Sequence, residues 1–187
     1  AHFISECGYH GCPAVKSLRR FIPENELNHW MPDGKQDSDV WATHETDYLP
    51  FGRRGYSRIA LMQNQVKLMF GAAPDQIEAF APLSQIVQAE AKKFFIERTR
   101  LRKWRRTGII WWNMIDCWPQ ISDAVVDYAY RKKLAYDWIR RAQQPRNAMM
   151  DEVIGWQQAI VLANDTLEAA DFRWRVEDAD TSEVLAS

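Results

Sequence analysis

The chain of 187 residues is long enough for one domain, or for one domain and part of another. With 47% hydrophobic and 26% charged residues and a net charge of −1, it has a globular composition. That balance gives no electrostatic reason to expect nucleic acid or an anionic membrane as partner, and no run approaches the roughly 18 apolar residues of a membrane span.

Phe3-Ile4-Ser5-Glu6-Cys7-Gly8 opens the chain as a short buried strand that delivers a carboxylate to its exposed end. In a parallel barrel the carboxyl ends of the strands hold the chemistry. The chain begins inside this strand, so its true start is expected upstream, and any signal peptide with it. Cys7, Cys12 and Cys117 are odd in number, which argues against a disulfide framework. Cys7 and Cys12 flank His10, but no second ligand pair stands at a structural-zinc separation, so free thiols are expected and no metal. No cofactor is implied.

Pro13 suits the first turn of a helix running to about Arg20, with Val15 and Leu18 on one face. Residues 23 to 57 are polar and non-periodic, punctuated by Pro23, Pro32, Asp33-Gly34, Pro50, Gly52 and Gly55. They predict a long functional loop carrying Trp30, Trp41 and His44. Ile59, Met62, Val66 and Met69 recur at helical steps and Gly71 is a stop. Pro74-Asp75 opens a longer helix through Ile77, Phe80, Leu83, Val87 and Phe94 to about Arg105, bent at Pro82. Its basic end, Arg98 to Arg106, reads as a solvated helix terminus.

Thr107-Gly108 breaks that helix. Ile109 to Met114 is a continuous apolar run, as in a strand buried on both faces, leading to Asp116-Cys117-Trp118-Pro119. Lys133 to Ala142 predicts a further helix, closed by Pro145. Residues 1–145 thus read as two β/α units of a parallel sheet or barrel, the first with a long insertion. Residues 146–187 change to a β-type period, strand-like over Trp156 to Ala163, alternating over Phe172 to Val176, with turns at Asn164-Asp165-Thr166 and Asp178 to Thr181.

Two strands therefore end in suggestive groups, Glu6 on one and Trp112 and Asp116 on the other. Neighbouring parallel strands lie about 5 Å apart, so Glu6 and Trp112 are expected to line one pocket. A carboxylate beside an aromatic platform suits retaining glycoside cleavage, in which a second carboxylic acid protonates the leaving oxygen. Nine tryptophans supply rings for sugars, and for cores as well.

Several stretches, in order, carry a resemblance: Phe3 to Gly8 with Pro13 and Ser17-Leu18; Leu68 to Gly71; Ser84-Gln85 with Gln88 to Ala91; Gly108 with Trp112 to Pro119; Val126-Asp127-Tyr128; Lys133 with Ala135-Tyr136; and Ala142 with Pro145. Together they resemble the last quarter of the catalytic barrel of family 2 glycoside hydrolases, on the β-mannosidase side. The tail around Asn164-Asp165-Thr166 is similar to the start of the immunoglobulin-like domain that follows it.

The resemblance implies an α/β fold: the last two β/α units of a (β/α)8 TIM barrel over residues 1–145, then the first strands of an immunoglobulin-like β-sandwich over 146–187. It implies a part of a retaining, exo-acting β-glycosidase, with β-mannosides as first substrate. The alternatives are another family 2 specificity (β-galactosidase, β-glucuronidase, exo-β-glucosaminidase) or a non-catalytic carbohydrate-binding or assembly module. Glu6 matches the nucleophile and Trp112 a sugar-pocket tryptophan, while Trp41 and His44 lie in a loop that can approach substrate. Asp116 and Trp118 are expected to brace the loop. Asn113 and Ile115 depart from the family, which has Gln and a polar residue there. The acid/base glutamate of an Asn-Glu pair has no match among Glu24, Glu26, Glu45 or Glu90. One carboxylate and two strands make an isolated chain inactive, needing the rest of its parent or self-association to complete the fold.

Overall fold

The computed structural model describes residues 2–30, 38–46 and 57–187. Pro32, Asp33, Gly34, Pro50, Gly52 and Gly55 of the expected loop lie outside the described residues. The elements are β1 (Phe3–Gly8), α1 (Val15–Leu18), α2 (Asp39–Thr43), α3 (Arg58–Phe70), α4 (Ile77–Arg100), β2 (Gly108–Trp112), α5 (Leu134–Ala142), and then β3 (Arg146–Met150), β4 (Ile160–Asn164), β5 (Val176–Glu177) and β6 (Val184–Ala186). The architecture is α/β: β1 and β2 pair in parallel, with the helices α1 to α4 carried in the crossover.

Local chemistry accounts for the helix limits. Ser57 caps α3 by accepting from the Ala60 N–H at 3.2 Å. Gly71 ends it in the left-handed region, at φ 83°, its N–H bonded to Lys67 O at 2.8 Å. Pro82 stands inside α4. The Pro13 helix is shorter than its sequence suggests, a single turn over Val15–Leu18 that passes into a turn at Arg19. The stretch expected to be loop contains a 3₁₀ turn at Glu24–Glu26 and the one-turn α2. Ser38 organises both, accepting from the Trp41 N–H at 3.4 Å while its hydroxyl donates to Glu26 at 2.7 Å.

β2 departs from the reading of a strand buried on both faces. Ile109 and Trp111 pack on the core between α4 and α5, with Ile96, Val125, Ala135 and Ile139. Ile110 and Trp112 point the other way and are half exposed. The apolarity is real on both sides, but among the described residues only one side is covered. A second core gathers Trp30, Trp41, Ile59, Met62, Val66 and Phe80 from the loop, α2, α3 and the start of α4.

Gln88, fully buried on α4, stitches these layers together. Its amide nitrogen donates to Tyr9 O and Asp123 O at 3.0 Å each and to Ala124 O at 3.3 Å. Gly11 makes room for it, since a Cβ there would fall 2.3 Å from the Gln88 amide oxygen. Gln88→Ala is expected to lower unfolding free energy by about 1–3 kcal/mol, the cost of buried acceptors left without donors. Urea denaturation with an unchanged m-value checks it.

Beyond Pro145 the antiparallel period holds, with differences. β3 was not anticipated; it pairs with β4 from Arg146↔Asn164 to Met150↔Ile160. The hairpin closes through mutual bonds of Ile154 and Gln157 around Gly155 (φ 57°) and Trp156 (φ 66°), both positive as a two-residue hairpin turn requires. So Trp156 is a turn residue rather than the start of a strand, and the alternation over Phe172 to Val176 yields strand only from Val176. Asn164 and Asp178 both make the expected turns, accepting from the N–H of Thr166 at 3.0 Å and of Thr181 at 2.7 Å.

The basic end of α4 is also not merely solvated. Arg98 and Arg102 both hold Asp151, Arg98 reaches Glu152, and Arg100 and Lys103 hold Asp165. The Glu152 N–H, then the hydrogen bond and charge of Arg102 and the charge of Arg98, outweigh burial and hold the Asp151 carboxyl below its usual range. These cations clasp the β3–β4 hairpin.

Candidate functional site

β1 and β2 pair through Phe3↔Gly108, Ile4↔Ile109, Cys7↔Trp111 and Gly8↔Trp112. Three steps along β1 match two along β2, so one extra residue is accommodated at Ser5-Glu6. This is a bulge. Its consequence is orientation. Ile4 and Cys7 can both align with the core-facing Ile109 and Trp111, while Glu6 falls on the open side with Trp112.

Glu6 and Trp112 line one cleft of about 500 Å³, together with Gly8, Tyr9, His10, Thr46, Arg58, Leu61, Gln65 and Asp123. Both are exposed, Trp112 by 50%. Arg58, Leu61 and Gln65 are three and four residues apart and form one wall from a single face of α3.

The floor of the cleft is a buried polar group. His10 Nδ1 donates to Asp123 at 2.9 Å, and the ring is 2% exposed. Gly8 permits this, because a Cβ at that position would sit 2.9 Å from the Asp123 carboxyl carbon. Burial alone would raise the Asp123 carboxyl. The hydrogen bond and charge of His10, with the Lys92 and Arg58 charges, outweigh it and hold the carboxyl below its ordinary range. A general acid needs the opposite shift, so Asp123 is built to stay an anion. Asp116 is pushed upward by burial against the opposing charge of Lys133, but it does not line the cleft. It accepts from Gln120 at 2.9 Å and Ser122 at 2.5 Å, and so braces the loop, as expected.

Of the sequence candidates, Glu6 and Trp112 are brought together. Trp41 and His44 are not. Trp41 is 1% exposed in the core, its indole N–H donating to Glu26 O at 2.7 Å. His44 donates to Pro119 O at 2.6 Å and its ring lies 4.7 Å from that of Phe21, off the cleft. Trp41 thus ties two parts of the long segment to each other, and His44 holds that segment to the loop after β2. His10, Asp123, Arg58 and Gln65 went unrecognised as cleft residues. The seven-residue step from Arg58 to Gln65 was a usable signal for one helix face; nothing near Asp123 announces its partner 113 positions away in His10. Cys7, Cys12 and Cys117 are free thiols, and no metal-ligand cluster occurs among the described residues.

No family model matches the chain. Among curated proteins it is 39% identical over 153 residues to a β-mannosidase B of Aspergillus niger and 30% identical over 149 residues to one of Thermothelomyces thermophilus. Each match takes in 76% of this chain and 16% of the relative, so the chain spans about a sixth of their length. Among solved structures it superposes on a β-D-mannosidase of Dictyoglomus thermophilum with a TM-score of 0.73 at 27% identity, covering 89% of this chain and 18% of that one. An exo-chitosanase of Amycolatopsis orientalis gives 0.63 at 19% identity, over 79% and 17%, a likeness of fold alone. The same kinship thus comes from the residue order, from the relatives and from the path of the backbone: this chain belongs to the β-mannosidase-like family 2 glycoside hydrolases, as a segment of one.

Proposed function

We propose that this chain is part of a retaining, exo-acting β-glycosidase whose first substrates are terminal β-mannosides. Residues 1–145 supply the last two β/α units of its eight-stranded barrel, and residues 146–187 the first strands of an immunoglobulin-like sandwich. The open, apolar face of β2 is then the barrel interior, and the free edge of β1 the place of the preceding strand. The observation that carries the reading is the bulge that turns Glu6 onto the same open face as Trp112, in one cleft.

Glu6 attacks the anomeric carbon as the bond to the leaving oxygen breaks, giving a glycosyl ester. Trp112 stacks on the apolar face of the sugar. A carboxylic acid from outside this chain protonates the leaving oxygen, then takes a proton from the water that releases the sugar. Asp123, kept anionic, is not that acid. The isolated chain is accordingly inactive, and its partners are a terminal β-glycoside and the remainder of the parent.

A 2-deoxy-2-fluoro β-mannoside with a good leaving group is expected to inactivate the full-length protein and to leave the fluorosugar on the Glu6 peptide, read by mass spectrometry. Label on another carboxylate, or none in an active protein, overturns the assignment. Trp112→Ala is expected to raise KM about 3- to 10-fold, the worth of one ring contact, which steady-state kinetics on an aryl β-mannoside measures. Binding of mannosides with no turnover by the full-length protein would instead favour the non-catalytic module.

A further inference from the structure

Lys92 lies on α4 and is 0% exposed, yet it reaches the cleft wall from behind. Its ammonium donates to the carbonyl oxygen of Trp112 and lies 5.8 Å from the centre of the Trp111 ring. From β1 it faces Cys7, from the loop after β2 it faces Asp123, and Lys133 at the start of α5 opposes it. Asp123 in turn holds His10 at the exit of β1. One buried cation therefore links the backbone that carries Trp112 to the acid–imidazole pair on the cleft floor, just past β1, the strand that carries Glu6.

We propose that Lys92 is a positioning residue for the sugar site: bonded to Trp112 O and facing Asp123, it holds the Trp112 wall at its working distance from the Glu6 wall. The proposal rests on the glycosidase reading for its purpose, though not for its geometry. Trp112 is the last residue of β2 and its ring is half exposed, so its placement depends on what grips its backbone. Among the described residues, the Lys92 ammonium is the side chain that donates to that carbonyl.

The grip is expected to be pH-dependent. Burial pulls the Lys92 amine down to about 8 from 10.5, with Asp123 and Cys7 opposing that fall and Lys133 adding to it. The ammonium is thus intact below about 8, and its hold on Trp112 O and Asp123 weakens as the proton leaves above it.

The test uses the full-length protein. Tryptophan emission, taken as the difference between wild type and Trp112→Phe, is followed from neutral to alkaline pH. A change with a midpoint near 8 is expected. It should be absent in Lys92→Met and should move to lower pH in Asp123→Asn, where the anion that supports the ammonium is gone. KM for an aryl β-mannoside should rise about tenfold through the same midpoint, on the scale of a supporting-shell change, while kcat varies less. A merely structural lysine would cost stability without moving any midpoint. A flat emission difference in wild type, or one unaltered in both variants, overturns the proposal, as does a midpoint unaccompanied by a change in KM or, without turnover, in mannose affinity measured by calorimetry. Absence of turnover or of label on Glu6 overturns the glycosidase reading instead, and leaves the emission result standing.

Discussion

Glu6→Ala in the full-length protein is expected to lower kcat on an aryl β-mannoside by on the order of 10⁵-fold, the scale of removing a covalent nucleophile. On the proposed mechanism the loss should fall on kcat far more than on KM, because the carboxylate would act in bond formation while Trp112 and the cleft walls would still bind the sugar. Glu6→Gln should behave alike, since the amide keeps the shape but is a far weaker nucleophile. Azide offers a positive counterpart. It can enter the space the carboxylate leaves in the alanine variant, attack the anomeric carbon, expel the aryl oxide and yield the glycosyl azide of inverted configuration. Turnover within tenfold of wild type in Glu6→Ala would remove the nucleophile assignment. The bulge makes a companion point: orientation rather than mere presence of the acid is at stake, so moving the carboxylate to Ser5 or Cys7 in the alanine background should not restore activity.

Lys133→Met is expected to destabilise the fold by roughly 3–5 kcal/mol, as when one member of a buried charge group is removed. Lys133 is buried just before α5, and its ammonium donates to Gly11 O at 2.6 Å and Ser122 O at 3.3 Å. It also faces Asp116 and Asp127, both buried. Burial pushes its amine below the ordinary value, with the acids opposing that fall, so the site carries a desolvation cost that its partners offset only in part. Taking away the cation alone leaves two carbonyls and two carboxylates worse off than before. The double variant Lys133→Met/Asp116→Asn should therefore cost less than the sum of its parts, and a double-mutant cycle by urea denaturation reads that coupling. Strict additivity would mean that Lys133 acts through packing alone.

The polar groups behind the cleft divide along the same line. Lys133 ties the segment after β1 to the loop that Asp116 braces, whereas Lys92 ties the end of β2 to Asp123. Loss of the first is expected to appear as stability, and of the second as a displaced wall. The basic residues at the end of α4 belong to neither; they hold the β3–β4 hairpin through Asp151 and Asp165.

Much was legible from residue order because it is local. The three- and four-residue apolar steps of α3, α4 and α5, the glycine stop at Gly71, the apolar run of β2 and the acid at the end of β1 each report a preference that neighbouring residues impose on their own backbone. Those signals, with the ordered resemblance, were enough to place Glu6 and Trp112 at two strand ends and to name the family. Local pattern failed where neighbours do not decide. β3 has little alternation of its own and exists because β4 pairs with it; Trp41 is aromatic in a polar stretch, and only packing makes it core rather than sugar platform. The bulge at Ser5-Glu6 is a mismatch between strands 105 positions apart at Phe3 and Gly108, which no window of sequence contains. Likewise the shifts of Asp123, Lys92 and Lys133 come from burial and from partners on other elements, so they arise only once water is excluded. The sequence by itself determined which chemistry the chain carries: a strand-end carboxylate and an indole. The tertiary structure decided that they line one cleft on the same face, because side-chain direction in a parallel pair follows register, and register is a property of two strands together.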